Sequence, residues 1–312
     1  MSPVTNARVL FNSIPDGFPE PGKTTVSDTS EKIDLENVPL YGGYLVKILE
    51  LSVDPYLRGR MRAPEIESYA PTVLVGKPLD NFGVAVVLRS ESSEMVQYQV
   101  LPANSSVQKL ENPHKLPWST FIGVLGMPGQ TAYTAWKEFS AAKKAIFVST
   151  GAGPVGSMVI QLAKLDGLRV IGSAGSDEKV QFMKDIGADV AFNYKTAKTS
   201  EVLAKQKGID IFLDNVGGET LDAALEAAKV DARNRNMHYV FAKSITLYGF
   251  TVLRLLPKYK VRFYEEISSL VVSWKIKHRE QVWDGLDKVG EAILAVQKGH
   301  NKAKAVVHVA DD

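Results

Sequence analysis

The stretch AIFVSTGAGPVGSMVIQLAKL, residues 145–165, decides the fold of this 312-residue chain. It begins with a short apolar run, which predicts a buried strand. The glycine-rich run GAGPVG follows at residues 151–156, and the apolar residues after it recur at helical spacing. A strand, a glycine-rich turn and a helix in this order predict a βα unit of a doubly wound parallel sheet, an α/β fold.

The glycine run predicts a dinucleotide-binding turn. Gly151 suits a tight turn, Gly153 lets the backbone approach a pyrophosphate, and Gly156 permits close packing of helix on strand. Pro154 and Val155 open the helix, whose amino terminus offers amides and a partial positive charge to a phosphate. The alternative is a glycine turn with a structural role alone.

The next strand predicts which dinucleotide binds. LRVIGSAGSDEK, residues 168–179, ends its strand in Gly-Ser-Ala, without the carboxylate that would hold the ribose hydroxyls of NAD and repel a 2′-phosphate. Lys179 lies one turn into the next helix, Tyr194 follows the third strand, and we expect Asp177 to cap that helix. These residues favour NADPH over NADH, although Lys179 could also be a solvated helix lysine.

Composition excludes several classes of function. Lys and Arg number 37 against 35 acidic residues, so the net charge of +2 does not favour nucleic acid or an anionic membrane as a partner. There is no cysteine, which excludes disulfides, thiolate nucleophiles and cysteine-ligated zinc. No secretion signal or membrane-spanning run is evident, and we expect a cytoplasmic protein.

The distribution of strand and helix signals predicts two lobes. Residues 1–120 carry strand-like runs such as GGYLVKILELSV (42–53) and NFGVAVVLRS (81–90). Residues 121–272 repeat a strand-helix rhythm, and FLDNVGGET places Asn215 at the carboxyl end of a parallel strand, where such sheets bind ligands. In residues 273–312 a helix precedes the strand KAVVHVA (304–310), which could rejoin the first lobe.

Several motifs together resemble the medium-chain dehydrogenase/reductase superfamily, in the zinc-free branch of prostaglandin reductases, leukotriene B4 dehydrogenases and alkenal double-bond reductases. They are LSVDPYLRGRM (51–61), GKPLDNFGV (76–84), GMPGQTAYTAW (126–136), STGAGPVGS (149–157), GSDEKV (175–180), FNYK (192–195) and DNVGGET (214–220). The resemblance implies a GroES-like, mostly β catalytic domain formed by residues 1–120 and 273–312. It also implies an NADP-binding Rossmann domain over 121–272, with the active site in the cleft.

The resemblance also implies roles for individual residues. Gly153 to Gly156 would contact the pyrophosphate, and Lys179 with Tyr194 the 2′-phosphate. Tyr56 would line the substrate pocket and is the candidate for a hydroxyl that contacts the substrate; the alternative is a tyrosine of the core or pocket wall. The nicotinamide side would be contacted by Asn215, Phe250, Thr251, Val252 and Asn301. No metal ligands are expected. ITLYGF, residues 245–250, resembles an edge strand through which relatives form homodimers.

The chain departs from the family where the Rossmann domain needs a further strand and loop. VDARNRNMHYVFAKS offers no convincing strand near residues 230–243, and the I-S-x-Y-N loop with its tyrosine has no counterpart. A second shortfall lies near residues 95–98, before QYQVLPANS. No catalytic residue can be assigned.

Three functions follow from these features. The first is an NADPH-dependent reductase that transfers hydride to the carbon-carbon double bond of an α,β-unsaturated aldehyde or ketone. The second is an NADPH-dependent quinone oxidoreductase with the same cofactor site. The third is an NADPH-binding protein with little turnover, because the segment over the nicotinamide is abbreviated.

Overall fold

A computed structural model describes residues 2–91, 107–140, 143–228 and 246–312. The chain divides into two compact units, the first formed by Met1–Ile122 with Glu280–Asp312 and the second by Gly123–Arg279. The boundaries expected from the sequence, after residues 120 and 272, differ from these by a few residues. Both abbreviated segments, near 95–98 and 230–243, lie outside the described residues.

The helices and strands are numbered along the chain. The strands are β1 Val4–Thr5, β2 Arg8–Phe11, β3 Thr25–Asp28, β4 Lys32–Ile33, β5 Tyr44–Val53, β6 Gly83–Ser90, β7 Ala145–Val148, β8 Arg169–Ala174, β9 Val190–Asn193, β10 Ile211–Leu213, β11 Glu280–Asp284 and β12 Lys304–His308. The α-helices are α1 Tyr56–Arg60, α2 Met127–Phe139, α3 Pro154–Leu165, α4 Asp177–Asp185, α5 Thr199–Ala204, α6 Gly218–Ala227, α7 Val252–Val272 and α8 Val289–Gln297. Two 3-10 turns cover Trp118–Ile122 and Leu286–Lys288.

The first unit is built on a four-stranded sheet in the order β11-β12-β5-β6. β12 runs antiparallel to β5 with Val306 opposite Ser52, and β11 runs parallel to β12. The carboxyl-terminal segment therefore completes the sheet begun by the amino-terminal residues. This confirms the expectation that the tail rejoins a mostly β domain.

The second unit is built on a four-stranded parallel sheet in the order β10-β7-β8-β9. The central strand β7 is buried at every position, because helices cover both faces of such sheets and an apolar run satisfies both. The expected doubly wound α/β fold is confirmed.

Two features of the second unit differ from the expectation. The sequence pattern did not predict α7, in which Phe263, Ile267 and Val271 are buried at four-residue spacing. The expected edge strand over 245–250 is wrong for the described residues 246–250, which belong to no strand. Tyr248 stacks instead on Phe139 of α2, with ring centroids 4.4 Å apart.

In the described part of the chain, no helix combines the length and the apolar character that crossing a membrane requires.

Candidate cofactor and substrate site

The turn between β7 and α3 is packed closely against neighbouring protein atoms. A Cβ on Gly156 would lie 2.4 Å from the carbonyl oxygen of Thr150, and one on Gly151 would lie 2.6 Å from Met183 Sδ. Real Cβ atoms do not approach other atoms this closely, so Gly156, whose neighbours are backbone atoms, requires glycine, whereas a side chain at position 151 would have to displace the Met183 side chain. Gly153 caps α3 without a side chain, and Pro154 is its first residue, which leaves the amide end of the helix uncovered by a capping side chain.

The ends of β8 and β9 bring together the residues expected to bind a 2′-phosphate. The amide of Tyr194 donates to the carbonyl oxygen of Ala174, 3.1 Å away. A Cβ on Gly175 would lie 2.7 Å from the Tyr194 hydroxyl and 3.4 Å from Lys195 Cε, so both side chains fold over this glycine. Tyr194 is half exposed and Lys195 is exposed, so a ligand can reach them.

The start of α4 supplies the third group of this corner. Burial lowers the pKa of Lys179, and the positive charge of Lys195 lowers it further, so the two ammonium groups lie close enough to interact. An anion between two such lysines would relieve their repulsion. The structure corrects one expectation, because Ser176 and not Asp177 caps α4: its hydroxyl accepts from the Lys179 amide at 3.4 Å. The Asp177 carboxylate accepts from Asn193 Nδ2 at 2.9 Å.

Asn215 lies where β10 ends, beside the end of β7. Its backbone amide donates to Ser149 Oγ and its side-chain nitrogen to the carbonyl oxygen of Ser149, both at 2.8 Å. The second bond orients the side chain and leaves its Oδ1 as the atom that could accept a hydrogen bond from a ligand. Asp214 Oδ1 accepts from the amides of Val216 and Gly217 and so shapes the following turn.

Phe250, Thr251 and Val252 form the entry to α7. The Phe250 ring lies 5.7 Å from that of Phe139, and Thr251 occupies the cap position without a side-chain hydrogen bond. Val252 is the first helical residue. These contacts do not place the three residues against the glycine turn.

Tyr56 opens α1 in the first unit. It is half-buried, and its ring meets the edge of Phe82 at a centroid distance of 6.5 Å. Its hydroxyl donates to Asn81 Oδ1. Burial raises the pKa of Tyr56, with Asp54 adding to the effect, so the phenol is neutral at physiological pH.

A buried ion pair supports the turn before Tyr56. Lys304 Nζ lies 2.9 Å from Asp54 Oδ1 and donates to the carbonyl oxygen of Val53, also at 2.9 Å. Both side chains are almost completely buried, and Ser52 Oγ donates to the second carboxylate oxygen of Asp54. Asn301, in the loop before β12, uses its amide nitrogen to donate to the carbonyl oxygen of Ala303 at 2.8 Å.

Within the described ranges, no cluster of three or more His, Asp or Glu side chains is arranged to hold a metal ion.

Several residues of these two sites were not predicted from the sequence. Lys195 follows Tyr194 in the FNYK motif, and its position directly after the third strand could have identified it. Asn81 and Asp54 lie in motifs quoted for the resemblance, but their hydrogen bonds to Tyr56 and Lys304 depend on pairing between strands far apart in sequence.

Comparisons with known proteins agree with this arrangement. A family model described as zinc-binding dehydrogenase matches residues 154–265, and one described as the N-terminal domain of oxidoreductase matches residues 8–115. A zinc-type alcohol dehydrogenase-like protein of Schizosaccharomyces pombe is 37% identical, covering 99% of this chain and 100% of the relative. The alignment runs over 352 positions, more than the 312 residues here, so the relative has residues without a counterpart in this chain.

Two further matches cover nearly the whole chain. The NADP(+)-dependent 2-alkenal reductase of Nicotiana tabacum is 33% identical, covering 98% of each chain. The crystal structure of CurA from Vibrio vulnificus in complex with NADPH superposes with a TM-score of 0.85 at 29% identity, covering 98% of this chain and 100% of that one. The chain therefore belongs to the medium-chain dehydrogenase/reductase superfamily, in the branch that contains the alkenal double-bond reductases and prostaglandin reductases.

Proposed function

We propose that this protein is an NADPH-dependent reductase that transfers hydride to the carbon-carbon double bond of an α,β-unsaturated aldehyde or ketone. The observation that carries the proposal is the corner formed by Lys179, Tyr194 and Lys195 beside the glycine turn, in which Gly156 has no room for a Cβ. A dinucleotide with a 2′-phosphate fits both features. The similarity to an NADP(+)-dependent 2-alkenal reductase over the whole chain supports the choice of substrate class.

The residues expected to contact the cofactor fit NADPH. The uncapped amino terminus of α3 and the amides of Gly153 to Gly156 would hold the pyrophosphate. Lys179, Lys195 and the Tyr194 hydroxyl would hold the 2′-phosphate. Asn215 Oδ1 would accept a hydrogen bond from the nicotinamide end of the cofactor. We also assign to that end Phe250, Thr251, Val252 and Asn301. When bound, NADPH supplies the hydride.

In the first unit, Tyr56 and Phe82 would form a wall of the substrate pocket. Phe82 is 46% exposed, which gives an apolar substrate a surface to cover. We assign the catalytic domain to residues 1–120 with 273–312 and the NADP-binding domain to 121–272. We further propose that the protein works without zinc, as a cytoplasmic homodimer.

The test is steady-state oxidation of NADPH with short 2-alkenals as acceptors, with the parent alkanals and a set of quinones as controls. We expect turnover with the 2-alkenals, none with the saturated aldehydes, and a saturated aldehyde as product. Turnover with quinones alone would replace the proposal by a quinone oxidoreductase. Tight NADPH binding without reduction of any acceptor would mean that the protein binds the cofactor without catalysing reduction.

A further inference from the structure

Helix α1 and the segment before β6 are joined by side chains at two successive positions. Tyr56 and Arg60 lie four residues apart and so share a face of the helix. Arg60 donates to the Asp80 carboxylate at 2.8 and 3.0 Å and to the Asp80 carbonyl oxygen at 2.8 Å. Tyr56 donates to the next residue, Asn81. This double connection fixes the distance between the phenol and the Asn81 amide.

The orientation of the Asn81 amide follows from its second bond. Asn81 Nδ2 faces the carbonyl oxygen of Ser52, which can only accept a hydrogen bond. The flipped amide would place two acceptors against each other, so Nδ2 must face Ser52 and Oδ1 must face Tyr56. An amide oxygen is also only an acceptor. The Tyr56 hydroxyl therefore has to donate its proton to Asn81.

Ser52 is itself held by two further hydrogen bonds. Its amide donates to the Phe82 carbonyl oxygen at 2.9 Å, and its hydroxyl donates to Asp54. Asp54 in turn holds the buried ammonium of Lys304. The acceptor that orients Asn81 is thus part of the packed sheet of the first unit.

We propose that Asn81 is a positioning residue that fixes the hydrogen-bonding polarity of Tyr56, so that this hydroxyl presents only lone pairs to the substrate. The substrate group facing Tyr56 is then a hydrogen-bond donor, and the carbonyl oxygen of the substrate is held elsewhere. This inference rests on the proposed function only in assigning Tyr56 to the substrate pocket.

The first test reads the hydrogen bond directly and does not require turnover. The chain is labelled with tyrosine carrying carbon-13 at Cζ, whose chemical shift reports on hydrogen bonding of the hydroxyl, and Tyr56→Phe assigns the signal. Asn81→Leu keeps the size of the side chain and removes both amide groups. We expect it to shift the Tyr56 signal, whereas the matched control Asn6→Leu, at an exposed position of the same unit, leaves it in place. A Tyr56 signal that does not move in Asn81→Leu overturns the proposal.

The second test asks whether the Tyr56 hydroxyl accepts or donates a hydrogen bond, by comparing two ligands of similar shape. Nonan-2-ol can donate a hydrogen bond and nonan-2-one cannot, and their affinities are measured by calorimetry on the NADP+-loaded enzyme. We expect Tyr56→Phe to weaken binding of the alcohol about fivefold and of the ketone less than twofold. In the Asn81→Leu background the hydroxyl is free to rotate and donate, so Tyr56→Phe should then weaken ketone binding as well.

The outcomes separate this inference from the proposed function. Equal losses for alcohol and ketone in the otherwise unchanged protein would overturn the assigned polarity. Failure to reduce any 2-alkenal would overturn the proposed function, while the Cζ signal would still decide whether Asn81 positions Tyr56. Unchanged melting temperatures in Tyr56→Phe and Asn81→Leu are the condition for comparing them.

Discussion

Replacing Lys179 by alanine should convert a protein that prefers NADPH into one that binds NADPH and NADH similarly. The substitution removes an ammonium group at the start of α4 and changes nothing in the glycine turn between β7 and α3, which we propose contacts parts common to both cofactors. Affinity for NADH should therefore stay within about twofold of its original value. The preference for NADPH should therefore be lost because the affinity for NADPH alone decreases.

The size of the loss follows from the kind of bond that is removed. A hydrogen bond to a charged group contributes about 1.5 to 3 kcal/mol, which corresponds to roughly 10- to 100-fold in Kd. Lys179 is half-buried and therefore partly shielded from water, so we expect the loss of NADPH affinity to fall within this range. Lys195 is exposed, and its removal also relieves the repulsion that lowers the pKa of Lys179. Lys195→Ala should consequently weaken NADPH binding less than Lys179→Ala does.

The same lysine makes the affinity depend on pH. Burial and Lys195 lower the pKa of Lys179 below its usual range, and a lysine must be protonated to hold a phosphate. Affinity for NADPH should be highest at neutral pH and should fall as the pH rises through this lowered pKa. The dependence should be absent for NADH and flattened in Lys179→Ala.

Fluorescence titration with NADPH and NADH, from pH 7 to pH 10, measures the cofactor preference of Lys179→Ala, the smaller effect of Lys195→Ala and the dependence on pH. Lys184→Ala is the matched control, because Lys184 is an exposed lysine of the same helix. An NADPH preference in Lys179→Ala equal to that of the original protein would refute the assignment. Equal loss of both cofactors would indicate that the variant disturbs the fold.

Three further predictions concern packing and stability. Gly156→Ala would place a methyl group 2.4 Å from the Thr150 carbonyl oxygen and should abolish cofactor binding, measured by the same titration; retained NADPH affinity would contradict the packing argument. Lys304→Met leaves a buried carboxylate without its counter-ion and should lower the free energy of unfolding in urea by about 3 to 5 kcal/mol, whereas a loss below about 1 kcal/mol would show that water reaches the pair. The bond to Glu50 raises the pKa of His308, and burial raises the pKa of Glu50, so this partly exposed pair contributes under about 1 kcal/mol between those two pKa values; the contribution is lost as the pH rises through the raised pKa of His308 or falls through that of Glu50. Denaturation of His308→Gln and the original protein at pH 5.5 and 8.5 should show a difference only at the lower pH, and a constant difference would contradict the pair.

The parts of the fold that sequence alone predicted are those whose signals are local. The glycine turn is one continuous run between a strand and a helix, so residues 145–165 contain the whole unit. The carboxyl ends of β8 and β9 could be located in the same way, which brought Lys179 and Tyr194 together. Lys195 lies in the same motif as Tyr194, directly after the third strand, and could have been identified by the same reasoning.

Local patterns are less informative where two residues compete for one role. Ser176 and Asp177 are both good helix caps. Asp177 accepts from Asn193 on the neighbouring strand, and Ser176 is left to cap α4. The sequence around residue 176 gives no indication that Asp177 will contact Asn193. Helix α7 was not predicted for a related reason. Pro257 and several basic residues interrupt its apolar pattern, and the buried face is identified only by its packing against α2.

The site in the first unit shows how strand register selects residues that sequence reading cannot pair. In the antiparallel pair of β12 and β5, Ala305 lies opposite Val53 and Val306 opposite Ser52. Continuing the register by one step places Lys304 beside Asp54, although the two are 250 residues apart. A shift of one residue would turn Lys304 to the other face of the sheet and leave two buried charges unpaired. The ion pair thus penalises wrong registers, and the same register holds Ser52 where it orients Asn81 toward Tyr56.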